Sequence, residues 1–385
     1  MNDVPTGLDG PRRCRTDEIP GLIALLDRTF RPQGESTMAR EFPLFLSVAN
    51  ANNLWVTADG GRIVAHVGVS HKRLNINSSI IHVGLIGAVA TDAAYRGRGL
   101  ATQVLAAARA DARERGVGLL LISGARGLYQ RCGARPAGNL QRFRIPQTVW
   151  ERWQSPVRWR LCQVSDTLAM MAWYVMQTPR FMRPLEALRR TCDAGTCGVS
   201  VQIAGMHREP IGYVAVKVFD DLIKISEIGG SEEMLEAFPQ LAPNGFSGAL
   251  ELLLPAGHPW CPMMLDLAER FERATQGRVG ARAPVAPAPP PLYTPHAPFD
   301  GTLLWVDFER CVEELRAYWE SHDLPRMRGY EADGVCVLSD GYQKVALPPT
   351  EMLEFFWGGP PRAPVPNEWT NAIPVPLCPY GLDFI

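Results

Sequence analysis

Val89-Ala90-Thr91-Asp92-Ala93-Ala94-Tyr95-Arg96-Gly97-Arg98-Gly99-Leu100-Ala101-Thr102 is the stretch whose reading decides the fold. An apolar strand pattern from Val83 to Ala90 runs into it and a helical pattern from Leu100 to Arg115 runs out of it. Gly97 and Gly99 leave the intervening turn free of obstructing side chains, so successive backbone N–H groups can point at one anion. The free N–H groups and positive dipole end of the following helix act on the same anion, and Arg96 and Arg98 add charge. Pyrophosphate is the natural guest. The turn is not a dinucleotide fingerprint, because no third glycine follows, and not a P-loop, because Gly-Lys-Ser/Thr is missing. A glycine pair before a helix also occurs as a plain turn, so the neighbouring elements decide the matter.

Working outward, the helix buries Leu100, Val104, Leu105, Ala108 and Ala112, exposes Arg109, Asp111, Arg113 and Glu114, and stops at Gly116. The run Val117 to Ile122 is continuously apolar, as in a strand covered on both faces, and Gly127-Leu128-Tyr129-Gln130-Arg131-Cys132-Gly133 follows it. Upstream, Glu18 to Arg31 has helical spacing, and Glu35 to Ser47 is a second apolar segment interrupted at Pro43. Leu54 to Thr57 and Arg62 to Leu74 read as strands joined by the hairpin Ala58-Asp59-Gly60-Gly61. Asn75 to Ser79 turns the chain into the long strand ending at Thr91.

Arg96, Gly99 and Ala101, set between strand and helix, with a strand and Tyr129 beyond, resemble the acetyl-CoA pyrophosphate loop of the GNAT superfamily of N-acetyltransferases. The resemblance implies that acetyl-CoA is bound as co-substrate by Arg96, Gly97, Arg98, Gly99, Leu100, Ala101 and Thr102. It further implies that Val89, Ala90 and Thr91 pair with the pantetheine amides, that the Val117 to Ile122 strand splays from its neighbour, and that Tyr129 returns a proton to the leaving thiolate. A phenol with a reference pKa of about 10 can donate to a thiolate of similar basicity. An aromatic packed beneath the cofactor is the competing reading of Tyr129, and a buried thiol is the reading of Cys132.

From Arg160 the order of elements repeats: a helix carrying Leu168 to Met176, strands Gly198 to Ile203, Pro210 to Phe219 and Leu222 to Ile228, a helix Ser231 to Phe238, a strand Gly248 to Leu254, and a helix Pro262 to Thr275. Where a phosphate loop belongs stands Glu227-Ile228-Gly229-Gly230-Ser231-Glu232-Glu233, whose three carboxylates repel pyrophosphate. This resembles a second, catalytically empty GNAT module. The prolines from Pro284 to Pro298 exclude helix and inner strand and mark a linker. Beyond them, a strand Thr302 to Phe308, a helix Glu309 to His322, short strands and a terminal helix resemble a sterol carrier protein-like domain. The fold class expected is therefore α/β (α+β), with two tandem GNAT-like modules, the second degenerate, and a small α+β domain. The divisions fall at 1–150, 151–280, a proline-rich linker 281–299, and 300–385. This order resembles the enhanced intracellular survival (Eis-like) family of acetyltransferases, which implies homo-oligomers.

The chain has 385 residues, 46% hydrophobic and 21% charged, enough for more than one core. A net charge of −1 provides no field for nucleic acid or an anionic membrane. Trp150, Trp153 and Trp159, interleaved with Arg152, Arg158 and Arg160, therefore read as an amphipathic connector rather than a stacking platform. No apolar run is long enough to span a bilayer and Met1 to Arg15 lacks a signal core, which points to the cytoplasm. Nine scattered cysteines without a Cys-x-x-Cys pair suit reduced thiols; Cys192 and Cys197 read as a loop with two thiols, and no structural metal is expected.

The reaction implied is direct attack of a primary amine, of a small polyamine, an aminoglycoside-like acceptor or lysine, on the thioester of acetyl-CoA. A non-catalytic CoA-binding or acyl-ligand-binding module is the alternative, disfavoured by the presence of Tyr129. Asp27, Glu35, Glu41 and Glu232 are the carboxylates considered for an acceptor cleft. His66, His71 and His82 fall on strands and read as packed or solvated. In the Eis-like family the terminal carboxylate serves as base, which assigns that role to Ile385; the apolar tail Tyr380 to Ile385 suits burial.

Overall fold

The computed structural model describes residues 7–34, 36–150, 153–194, 199–207, 209–276, 292–359 and 363–378. Its contacts divide into two compact units, one drawn from Met1–Ala137 and Asp300–Val375, the other from Gly138–Phe299 and Pro376–Leu382.

The first unit opens with β1 (Leu8–Arg13), a strand that sequence reading missed because Pro11 and Gly10 break its pattern. Helix α1 (Ile19–Phe30) buries Ile19, Leu22, Leu25 and Leu26, the stripe that its spacing predicts. The short α2 (Met38–Glu41) is capped by the Thr37 side chain, which accepts from the Arg40 N–H. Then come β2 (Leu54–Asp59), β3 (Arg62–Ile76), β4 (Ser79–Thr91), α3 (Leu100–Glu114), β5 (Leu119–Ile122) and α4 (Gly127–Arg131). Strands β1 to β4 form an antiparallel meander and β5 joins β4 in parallel. All four residues of β5 are buried, as the unbroken apolar run requires; each such leucine contributes about 1.5–3 kcal/mol relative to exposure.

The chain then builds the second unit. In order it forms β6 (Leu140–Pro146), α5 (Gln147–Trp150), β7 (Arg158–Leu161), α6 (Thr167–Val175), β8 (Arg180–Phe181), α7 (Leu185–Ala194), β9 (Ser200–Met206), β10 (Glu209–Val218) and β11 (Leu222–Gly230). A 3-10 helix (Glu232–Leu241), β12 (Ala249–Pro255), α8 (Cys261–Gln276) and β13 (Tyr293–Ala297) complete it. The sheet order β7-β9-β10-β11-β12-β6-β13 repeats the first unit's path, with β11 and β12 as the parallel pair. The expected helix Ser231 to Phe238 is 3-10 rather than α.

The return to the first unit overturns part of the expected division. β14 (Thr302–Trp305) pairs antiparallel with β5, while β6, assigned by sequence to the first module, pairs antiparallel with β12 in the second sheet. The chain therefore leaves the first unit after Ala137 rather than at 150, and at Asp300 it returns to that unit instead of starting a separate domain. Each sheet's strand beyond its parallel pair comes from a distant part of the chain, which local pattern does not reveal. After β14 come α9 (Phe308–Glu314), α10 (Arg316–Glu320), a meander of β15 (Arg328–Ala332), β16 (Val335–Ser339) and β17 (Lys344–Leu347), and α11 (Pro349–Trp357). Trp305 packs edge-on against Phe308 and Phe356, with ring centroids 5.2 and 5.5 Å away. Ser79 Oγ accepts from the Tyr318 N–H at 2.8 Å, and Glu314 accepts from the His82 N–H at 2.9 Å. Residues 300–375 thus share a core with the first module instead of standing apart.

Three smaller expectations change. Asp111 is buried, not exposed, because Arg13 and Arg115 pair with it at 2.5 and 3.0 Å. Trp150 and Trp159 belong to the second unit's structure, their indole N–H groups donating to the Ile145 and Ala237 carbonyls at 3.1 and 2.8 Å. Part of the expected linker is β13, a strand that tolerates Pro295 because it lies at the edge of its sheet. Residues 277–291 lie outside the described residues.

Candidate active site

Strands β4 and β5 run in register from Val83↔Leu119 to Ile86↔Ile122 and then part. The last tie is Ile86, whose carbonyl accepts from both the N–H and the hydroxyl of Ser123 at 3.1 Å. Past that point β4 continues through Gly87 to Thr91 with no ladder partner on this side among the described residues, so the parting strands form a gap along this β4 edge.

That edge is bulged. His66 pairs with Ala90 and Gly68 with Gly87, so Ala88 and Val89 together face Val67 alone. Ala88 has φ of +51°, a left-handed conformation that bulges of this kind ordinarily give to glycine. Its carbonyl lies 2.7 Å from Nδ1 of His66, a fully buried side chain. Burial lowers the His66 pKa to about 4, against the opposing pull of the Ala88 carbonyl. No sequence signal announced the bulge beyond the run of small residues Gly87-Ala88, and His66 read there as an ordinary packed histidine.

The loop beyond Thr91 is held from both ends. Asp92 accepts from the Ala94 N–H at 3.1 Å and pairs with Arg62. Burial pushes the Asp92 carboxyl up, but the Ala94 N–H and Arg62 outweigh it and hold it below its ordinary range. Tyr95 donates to Asp59 at 2.6 Å, the Arg98 guanidinium stacks 4.8 Å over the Tyr95 ring, and Arg96 Nε donates to the Thr91 carbonyl at 3.3 Å. Asp92 and Tyr95 are supports that sequence reading did not single out.

Gly97 and Gly99 have φ of +78° and +75°, and a Cβ on either would meet nothing within 4 Å. Gly99 is also the residue preceding α3, and its carbonyl accepts from the Gln103 N–H. The N–H groups of Gly97, Arg98, Gly99, Leu100, Ala101 and Thr102 have no acceptor among the described residues. Six unpaired donors around open space fit the phosphates of an acyl-CoA. Leu100 is buried, whereas Arg96, Arg98 and Thr102 are exposed, Ala101 is half-buried and Ala90 is buried in the strand.

Tyr129 stands in α4, just past the point of parting, with its ring 3.6 Å from where a Cβ of Gly124 would lie. It shares one apolar cluster with Ile86, Leu100, Val104 and Ile122, and Val89 packs against that cluster. Burial raises its pKa against the opposing effect of Arg126, so the phenol stays protonated. Its hydroxyl has no protein partner among the described residues.

The other sequence candidates divide into those engaged by protein partners, one exposed in the second unit, and those outside the described residues. Asp27 accepts from the Met38 N–H at 2.7 Å, and Glu41 is paired with Arg31. Glu232 is exposed in the second unit, and Glu35 and Ile385 lie outside the described residues. His82 is bound to Glu314. Among the described residues no group of three or more His, Cys, Asp or Glu could hold a metal ion, and no helix is long and apolar enough to cross a membrane.

Residues 11–137 match the family described as an acetyltransferase (GNAT) domain. This part of the chain is accordingly an acetyltransferase domain that uses acetyl-CoA, of a family that acts on amine acceptors in general. No curated protein matches the chain. Among solved structures, a GCN5-related N-acetyltransferase from Anabaena variabilis is 12% identical, with a TM-score of 0.54 over 87% of this chain and 84% of that one. One from Kribbella flavida is 14% identical, with a TM-score of 0.51 over 89% and 83%. Both similarities show the fold. Eis1 from Mycobacterium abscessus is 13% identical over 89% and 85% of the two chains, at a TM-score of 0.48 that carries no argument.

Proposed function

We propose that the first unit moves the acetyl group of acetyl-CoA to a primary amine of a small polyamine, an aminoglycoside-like acceptor or a lysine, by direct attack. The observation that carries this reading is the row of six unpaired N–H groups from Gly97 to Thr102, set beside a bulged β4 edge and a protonated Tyr129. Acetyl-CoA supplies an activated acyl thioester. Residues Arg96 to Thr102 hold its phosphates, and Val89, Ala90 and Thr91 offer the free β4 edge to its amides. The second unit contributes no second cofactor site.

The amine nitrogen bonds to the acetyl carbon as the carbon–sulfur bond breaks. The electron pair passes to sulfur, which takes the Tyr129 proton; Tyr129 regains one from solvent and the ammonium's surplus proton is released.

Thiol release from acetyl-CoA, measured with a panel of polyamines, aminoglycosides and lysine peptides, tests the reading. Release with at least one amine, quenched by Tyr129→Phe, is the expected result. Tight binding of one acetyl-CoA per chain with no release from any amine would leave a CoA-binding module instead.

A further inference from the structure

The geometry points to His66 as a positioning residue: we propose that its Nδ1–H, by holding the Ala88 carbonyl, fixes the left-handed bulge and aims the Val89 N–H at the thioester oxygen of the acyl donor. The inference rests on the proposed use of the β4 edge and adds to it a residue that no contact with substrate would reveal.

Four observations converge. Ala88 adopts φ of +51° although alanine, unlike glycine, disfavours that region. Something outside the residue must therefore hold it there. The Ala88 carbonyl meets Nδ1 of His66 at 2.7 Å, and because a carbonyl only accepts, Nδ1 carries the proton. In a trans peptide the C=O and the following N–H point in opposite directions, so anchoring the Ala88 carbonyl on His66 turns the Val89 N–H away from it. Finally, the bulge lies immediately past the place where β4 and β5 part, the stretch of β4 without a ladder partner on that side.

The imidazole is built to act as a fixed donor and not as an acid or base. It is fully buried, and its Nε2 has no partner among the described residues. Phe45 seals it: the ring occupies the space that a Cβ on Gly68 would need, next to Cε1 of His66. Protonation would place an unpaired charge in that dry site, which is why the imidazole stays neutral down to about pH 4. As charge develops on the thioester oxygen during attack, a preset N–H donor is worth more than one that must first reorient.

The test compares four variants. His66→Leu removes the donor; His66→Asn restores one at a similar position; Ala88→Val keeps the imidazole but opposes the left-handed conformation; and His66→Leu in an Ala88→Gly background removes the donor where glycine tolerates the conformation unaided. His66→Leu is expected to lower kcat about 30-fold with KM for acetyl-CoA within about threefold, and His66→Asn to recover most of that loss. Ala88→Val should behave like His66→Leu, and the loss should shrink in the Ala88→Gly background. Calorimetry supplies a readout independent of turnover: the preference for acetyl-CoA over CoA should fall in His66→Leu and return in His66→Asn. Should His66→Leu fail to fold, His66→Asn, Ala88→Val and the glycine-background variant still decide.

A folded His66→Leu with parental kcat and parental acetyl-CoA preference overturns the proposal. So does a wild-type ionisation in the pH profile of kcat that disappears in His66→Asn, since it would make His66 a base. If the parent releases no thiol with any amine, the acyl-transfer reading fails, while the acetyl-CoA preference still judges the role of His66.

Discussion

The two sheets part their parallel strands in the same manner and line the result differently. In the first unit β4 and β5 separate after Ile86↔Ile122; in the second, β11 and β12 pair through Ile225↔Leu252 and go no further. Both long strands are bulged just beyond, at Ala88 and Val89 in one and between Ala215 and Val216 of the partner strand in the other. In the first unit the strand then leads to an open loop. In the second, Glu227 lines a cavity between the parting strands, with Ser226, Ile228 and Leu253 to Pro255, and is held by Arg183 Nη1 and Nη2 at 3.0 and 2.8 Å and by the Tyr213 hydroxyl at 2.8 Å. Topology provides a gap in each case; one is bordered by unpaired backbone donors, the other by a carboxylate already paired with an arginine.

The glycines divide the same way. Gly97 and Gly99 face open space, whereas Gly229 and Gly230 are the last residues of β11, where a Cβ would strike the Tyr213 ring or the Gly212 backbone. One pair keeps backbone donors free for a ligand; the other lets strands pack closely. Gly99→Asp breaks the comparison most severely. It places a carboxylate and a left-handed strain at the phosphate cradle, and acetyl-CoA binding by calorimetry should fall at least about 1,000-fold with the melting temperature within a few degrees. Two acetyl-CoA per chain in the parent, or parental affinity in Gly99→Asp, would end the assignment of the cradle to the first unit alone.

Next in size is the Arg183–Glu227 pair. Arg183→Met leaves Glu227 buried without its cation and should cost about 3–5 kcal/mol in urea unfolding while the affinity for acetyl-CoA stays at the parental value. Loss of cofactor affinity in a folded Arg183→Met would show that the second gap takes part in binding after all.

How much of this was legible in the sequence depends on range. The open glycine loop before α3 was readable because its signal is local: two glycines, two arginines and a helix start within seven residues. The successive strands β2 to β4 and β9 to β11 followed from alternation and turns for the same reason, whereas β1 and β7 did not. The exchange of β6 and β14 was not readable, because antiparallel pairing of Thr302–Trp305 with Leu119–Ile122 is a long-range choice between apolar strands of similar composition. His66 was equally hidden, since its partner is a carbonyl whose direction depends on one backbone angle. Glu227, with Glu232 and Glu233, was read as repelling a phosphate; in the structure its carboxylate is paired with Arg183.

The two units also share a buried histidine each, His66 and His258, both with pKa lowered to about 4 by burial. As pH falls, the unfolded chain binds protons near 6.5 while these folded-state imidazoles remain neutral, so the unfolded state gains. Stability attributable to each site is present above about pH 6.5 and declines toward pH 4 by up to about 3 kcal/mol. Urea midpoints measured at pH 7 and pH 4.5 should show the decline, and His66→Asn should remove the first unit's share only. An unchanged pH slope in that variant would mean the His66 site admits water and is not dry.

Tyr129→Phe separates chemistry from binding within the open gap. The phenol has no protein partner to lose, and the phenylalanine ring keeps its place in the apolar cluster, so stability and acetyl-CoA affinity should hold. Turnover should fall about 100-fold, in the range that general-acid catalysis supplies. A variant that turns over at the parental rate would reduce Tyr129 to a packing residue.

The smallest effect expected is that of the loop arginines, and it sharpens what the glycines do. Arg96 and Arg98 are exposed, and each is engaged with the loop itself, Arg98 through the Tyr95 ring and the Ala94 carbonyl and Arg96 through the Thr91 carbonyl. Exposed charges act through water and are screened by salt, whereas the N–H groups from Gly97 to Thr102 are held in place by the backbone and need no reordering. Arg98→Ala should therefore weaken acetyl-CoA binding only about two- to fivefold, and less at 0.5 M salt than at 0.05 M. A loss as large as that of Gly99→Asp, insensitive to salt, would transfer the leading role from the backbone donors to the arginine.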